Sequence, residues 1–235
     1  NESVTIDITI TDAMSGISSQ SITLNGLTFA GGTVPAEGEY HLVVTATDNA
    51  GNTDTITIVF TIDKTAPVVT ITAPVDGAYY QSDDVPVGAY TVDETSPYDV
   101  VESGWDNTTE GKHTYTVTVT DAAGNTGTAS VTYTVDNIAP VVTITSPVNG
   151  AYYQSINVPV GAYTVNEINP YTVVESGRDT TEGVHTYTVT ATDAAGNVGT
   201  ASVTYTVDNT EPVVTITAPM DGAYYQSDDV PVGAY

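Results

Sequence analysis

The sequence predicts an all-β chain made of small β-sandwich modules in an elongated tandem array. Three observations carry the prediction. First, a long stretch recurs. Residues 67–90 read PVVTITAPVDGAYYQSDDVPVGAY, residues 140–163 repeat it with a few changes, and residues 212–235 return to the first version with Met220 in place of Val75. A fixed period of about 72 residues marks a repeat architecture. Second, His113, Tyr115, Val117 and Val119 alternate with threonines, the period-2 pattern of a strand with one apolar face. Third, no window carries apolar residues at i, i+3, i+4 and i+7, so helices are not expected.

The unit 67–136 shows the plan. Residues 68–72 alternate as a short strand with Val69 and Ile71 on one face, and residues 74–77 form a turn. Residues 79–81 continue the strand after a kink. Residues 85–92 read as a second strand, with Pro86 acceptable only at its start or on an edge. Residues 98–102 form a third strand and residues 103–111 a loop. Residues 113–120 and 129–135 then flank Asp121-Ala122-Ala123-Gly124-Asn125. Two alternating runs joined by a Gly-bearing turn make a hairpin. The chain therefore divides into 1–63, a module without its opening strand that begins with a strand over 4–10; 64–136; 137–208; and 209–235, the opening strands of a further repeat.

Composition excludes several classes of function. The net charge is −26, with only 3 Lys and Arg. Binding to phosphate backbones needs cationic side chains, so nucleic acid is excluded and an anionic membrane surface is disfavoured. The acid excess reads either as solubility through mutual repulsion or as divalent-cation binding. There is no cysteine, so neither disulfides nor Cys-based zinc sites stabilise the modules. No apolar run is long enough for membrane insertion.

The TDAAGN turn, the Asp-x-x-Ala-Pro-Val-Val junction and the Gly-x-His-x-Tyr-x-Val approach resemble bacterial and archaeal immunoglobulin-like tandem repeats. These are stalk modules of cell-surface adhesins and filament proteins. The resemblance implies immunoglobulin-like β-sandwiches in an extracellular, cell-surface setting, trimmed relative to the ~100 residues of an antibody-type domain.

Catalysis is not expected. No Ser occupies a strand–turn–helix elbow, no basic residue recurs in every unit, and near-identical repeats do not look like one evolved active site. His113 and His185 stand where the first unit has Tyr40, which reads as a hydrogen-bonding corner rather than a metal ligand. An isopeptide cross-link is not a repeat property, because Lys112 is Val184 in the next unit and Lys64 aligns with Asn137 and Asn209.

Calcium at the module junctions is the cofactor the acids suggest, since it takes six to eight oxygen ligands. The candidate ligands are the junction residues Asp63, Asp136 and Asp208, and the turn residues Asp48, Asp121 and Asp193. Against this stands a local reading, in which each turn Asp caps its own loop and each junction Asp ends a strand. Asn107-Thr108-Thr109 is a glycosylation sequon, as is Asn1-Glu2-Ser3.

The tyrosine pairs offer one outward ring each, and Tyr80, Tyr153 and Tyr225, with Val213 and Ile216, are the candidates for contact between chains. The expected partner is another copy of the chain, added head to tail by strand addition into a stalk or filament. The alternative is an adhesin module that binds carbohydrate or a surface protein.

Overall fold

A computed structural model describes residues 3–228 and divides into two compact units, Asn1–Asn137 and Ile138–Tyr235. The first unit holds two modules. The first module contains β1 (Val4–Ile6), β2 (Ile17–Leu24), β3 (Leu27–Thr28), β4 (Gly32–Val34), β5 (Gly38–Asp48) and β6 (Thr53–Ile62). The second contains β7 (Val68–Ala73), β8 (Tyr79–Tyr80), β9 (Ala89–Asp93), β10 (Tyr98–Ser103), β11 (Gly111–Asp121) and β12 (Thr126–Val135). The second unit repeats this as β13 (Val141–Ser146), β14 (Tyr152–Tyr153), β15 (Ala162–Asn166), β16 (Tyr171–Ser176), β17 (Gly183–Asp193) and β18 (Val198–Val207).

Each complete module is a sandwich of unequal sheets. A four-stranded sheet, β10-β11-β12-β8, faces the two-stranded sheet β7-β9, and β16-β17-β18-β14 faces β13-β15 in the same way. The long hairpin forms as the alternation dictates. β11 and β12 pair antiparallel from Gly111 opposite Val135 to Thr120 opposite Thr126. Tyr115, Val117, Val119, Tyr133 and Val135 point inward and are essentially buried. Each valine so buried contributes about 1.5–3 kcal/mol. Val69, Ile71, Tyr90 and Val92 of the smaller sheet close the core from the other side.

Three details differ from the expectation. The strand expected over 85–92 begins only at Ala89, after a single 3-10 turn at Ser82–Asp84 and an extended stretch that includes Pro86, which has no N–H for a ladder. Val85 is nevertheless buried under the core. Second, Tyr79–Tyr80 does not prolong β7 in its own sheet but crosses to the other sheet, pairing in parallel with β12. Asp76 makes that crossing possible, since its Oδ1 accepts from Thr132 N at 2.8 Å. In the next module Asn149 Oδ1 accepts from Thr204 N at 2.9 Å, so a carbonyl-type oxygen is all the site requires.

Third, in the first module only Val4–Ile6 of the expected 4–10 strand is a strand, paired with β4. Residues 7–12 run on without strand partners among the described residues, although Ile8 and Ile10 still alternate inward.

Candidate functional site

The turn after the first long strand is the same device in each module. Asp121 Oδ1 accepts from Ala123 N at 2.9 Å and Asn125 N at 2.8 Å, and its Oδ2 accepts from Asn125 Nδ2 at 2.8 Å. Asp193 repeats the set with Ala195 and Asn197, and Asp48 with Ala50 and Asn52. Burial works to raise the Asp121 pKa, but the donors of Asn125, Ala123 and Gly124 together hold it below the ordinary carboxylate range. The Asp48 carboxyl is lowered chiefly by the Asn52 side chain and backbone.

The Asn that closes this turn also reaches the junction. Asn125 Nδ2 donates to the Asp63 carbonyl at 3.1 Å. The Asp63 side chain then binds on both sides of the boundary. Its Oδ1 accepts from Thr65 N at 3.1 Å, and its Oδ2 accepts from the Ser96 hydroxyl of the second module. The end of β6 is thus held to two loops of the following module. Asp208 Oδ1 accepts from Thr210 N at 2.9 Å in the same local way, and Asp136 is buried at the end of β12.

The acids retained between units serve hydrogen bonds of this kind. Glu94 and Glu167 accept from the backbone of their own loops. Glu110 accepts from Asn137 N and Nδ2, and Glu182 from Asn209 N and Nδ2. Among the described residues, no group of three or more His, Cys, Asp or Glu converges as a metal-binding set. The oxygens of Asp121 and Asp63 already face protein donors, so the residues present fit a hydrogen-bonded clamp better than a calcium cage.

Two further constellations stand beside this clamp, and only the second was hidden from sequence reasoning. His113 Nε2 and His185 Nε2 lie 2.6 Å from the carbonyls of Thr109 and Thr181, and Tyr40 OH donates to Ala36 O at 3.1 Å. The ring at this register therefore bonds the carbonyl four residues earlier, which explains why His and Tyr exchange there. Tyr115, fully buried, donates to Glu102 Oε2 at 2.6 Å, and Tyr187 does so to Glu175 at 2.5 Å. Burial, then the Glu102 bond and charge, push the Tyr115 pKa well above its ordinary value. The first module has Leu42 and Ile22 at these two positions, so both polar partners are replaced together by apolar ones. That paired change is visible in the sequence once the register is known.

The inter-chain assignment of Tyr80 and Tyr153 requires correction. Tyr80 lies level with inward-facing Val135, its ring packs edge-on against Tyr133 at 6.3 Å, and its hydroxyl accepts from Val75 N. Tyr153 does the same with Tyr205 and Val148, and Tyr225 OH accepts from Met220 N. The outward members are Tyr152 and Tyr224. Parity was read correctly as alternating, but its phase depends on a parallel partner some 55 residues away. Val213 and Ile216 are exposed, at 91% and 77%. Asn107 lies half-buried on the loop between β10 and β11. Asn1 and Tyr235 lie outside the described residues.

A different surface feature appears in the first module. A groove of about 520 Å³ runs between residues 7–12 and the inner face of β5 and β6. Its floor includes Val44, Ala46, Ile56 and Ile58, of which Ile56 is 57% and Ile58 51% exposed.

The family model of the bacterial Ig-like domain (group 3) matches residues 26–95 and 99–166, more than half of the chain, and the chain belongs to that family. The matched windows start in mid-module, because a tandem repeat has a period but no phase in sequence. No curated protein matches the chain in sequence. Among solved structures it is similar to the fibronectin(III)-like modules of Clostridium thermocellum CbhA, at 18% identity and TM-score 0.35 over 59% of this chain and 93% of that one. Drosophila N-cadherin EC1-4 matches at 14% identity and TM-score 0.25, covering 78% of this chain and 61% of that one. The Bacteroides ovatus glucan-utilization protein SGBP-B, solved with a mixed-linkage heptasaccharide, matches at 15% and 0.22, covering 88% and 63%. No helix among the described residues is long and apolar enough to cross a membrane.

Proposed function

We propose that the chain is an extracellular structural array on a microbial surface, a stalk or filament whose modules act as rigid spacers. The observation that supports this reading most directly is the Asp63 junction. A single residue binds Thr65, Ser96 and Asn125, tying the last strand of one module to two loops of the next. Such a link limits bending, as does Pro67 just beyond it. Where Asn149 replaces Asp76 between the repeats, the same backbone hydrogen bond is kept. That pattern suits mechanical regularity rather than discrimination among ligands.

Small-angle scattering on the 235-residue chain and on Asp63→Ala tests the reading. A stiff array that becomes measurably more compact and flexible in the variant is the expected result. Equal flexibility in the two proteins, together with glycan-array binding by the wild type, would replace the spacer by the adhesin reading.

A further inference from the structure

We propose that the outer face of the four-stranded sheet is a lateral contact surface, on which a second copy of the chain packs face against face. This deepens the structural-array reading, on which it rests, by naming the surface through which neighbouring arrays meet side by side.

Charge singles out this face. The chain carries 29 acids against 3 Lys and Arg, but the outward positions of the large sheets are almost free of them. In the third module no outward residue of β16, β17, β18 or β14 is charged. In the second module the charged ones are Asp99 and Lys112, and in the first Glu39, which bonds His41. The acids lie instead in turns and loops, as Asp121, Asp106 and Glu94 do, or turn inward, as Glu102 and Glu175 do to meet Tyr115 and Tyr187. Two chains of net charge −26 repel in most orientations. Face to face, the touching surfaces are neutral and the acids stay in the loops, in water.

The chemistry of the face suits it to being covered. Threonine hydroxyls bond one another across the hairpins, Thr45 with Thr55 at 3.0 Å, Thr118 with Thr128 at 3.3 Å and Thr190 with Thr200 at 3.3 Å. Each pair satisfies one donor internally, so covering it leaves fewer hydroxyls unpaired. Thr, Ser and Val also lose less rotamer freedom on burial than Lys or Glu. Exposed valines supply apolar contact: Val59 on β6, Val101 on β10 and Val174 on β16. Val101 lies opposite Thr118 and Val174 opposite Thr190, in the same rows as the hydroxyl pairs.

Area selects the large sheet over the small one. At about 3.3 Å per residue and about 4.8 Å between strands, the strands of the third module's large sheet present roughly 450 Å². β13 and β15 present only roughly 170 Å², and the matching small sheet of the second module carries Asp93 on its outer side. One pair of large faces removes about 900 Å² from water, short of the ~1,200 Å² at which stable specific interfaces begin. The face recurs in every module, so a chain that pairs through one raises the effective concentration of the others. Sheets packed in this way lie about 10 Å apart with strand directions within about 30°, which lets one long hairpin run along another.

Sedimentation of the 235-residue chain in about 0.5 M NaCl, where repulsion between the loops is screened, should show reversible, concentration-dependent oligomers. Thr55→Asp/Thr128→Asp/Thr200→Asp puts one acid at an exposed position of each face and should raise the dissociation constant at least about tenfold. Met14→Asp/Val87→Asp/Ile168→Asp gives the same net charge on exposed apolar residues away from the face and should leave association unchanged. A lysine set, Thr55→Lys/Thr128→Lys/Thr200→Lys, guards against misfolding. At about 0.1 M NaCl neither face variant should pair with itself, while a mixture of the two should. A wild type that stays monomeric overturns the proposal. So do oligomers indifferent to the face acids, or two cooperatively melting face variants that do not pair when mixed. Retardation of the monomer in a gel containing a neutral soluble glucan, abolished by the face acids, would give the surface to carbohydrate and likewise overturn the pairing of copies. Scattering on Asp63→Ala reads stiffness separately, so each of these results leaves the spacer reading to its own test.

Discussion

At the residue scale, the Asp–Asn turn links a local loop to a module boundary. Asn125 is nearly fully buried, and its side-chain amide serves both Asp121 Oδ2 and the Asp63 carbonyl. Asn125→Ala removes both bonds, and unpairing buried acceptors costs roughly 1–3 kcal/mol each. The expected result is a lower melting temperature for the first unit in calorimetry and a looser junction in scattering. Asp121→Asn tests the charge. The new amide can accept through its oxygen but sets an NH₂ against Asn125 Nδ2. The folded pKa of Asp121 is lowered, so its contribution is complete above the unfolded carboxylate value near ~4 and is lost as pH falls through the lower folded value. The wild type should therefore outlast Asp121→Asn from pH 5 to 8, and the two melting temperatures should converge as pH drops below about 4. A constant difference down to pH 2 would show that the charge is irrelevant.

At the scale of the element, the glycine after the turn decides how close the small sheet can come. A Cβ at Gly127 would lie 1.9 Å from Pro67 O, and one at Gly199 1.7 Å from Pro140 O. Gly127→Ala must push β7 outward and should cost about 1–3 kcal/mol, the usual penalty of overpacking, seen as an earlier urea transition of the first unit. The first module carries Asp54 at this position, and no opening strand lies against it among the described residues. The long hairpins were legible in the sequence, since a period of two and a Gly-bearing turn are local signals. The turn aspartates and the His/Tyr corner were legible too, because their partners lie within four residues. What sequence did not reveal was anything dependent on a distant partner. The crossing of Tyr79–Tyr80 to the other sheet, the inward phase of Tyr80, and the Tyr115–Glu102 pair each require knowing which strand lies alongside. The late start of β9 at Ala89 is different, since Pro86 is a local signal against ladder pairing there.

For the whole molecule, charge is the unbalanced term. The net charge of −26 is set against 3 Lys and Arg, and the contact of His41 Nε2 with Glu39 at 2.9 Å lies on the surface. Carboxylates are held by backbone and amide donors instead, which stabilises each loop but leaves the long-range repulsion in place. Stability should therefore climb with ionic strength, because the screening length falls from about 30 Å at 0.01 M to about 10 Å at 0.1 M. Melting temperatures measured in NaCl from ~10 mM to ~0.5 M should rise and then level off as that length drops below the spacing of the acids. Calcium separates screening from site binding. Asp63 already accepts from Thr65 and Ser96, so an ion entering there must break those bonds first. At matched ionic strength, calcium and magnesium should raise the melting temperature equally, and chelator should change nothing beyond that. A calcium-specific increment that disappears in Asp63→Asn would show instead that the junction exchanges its hydrogen bonds for a cation.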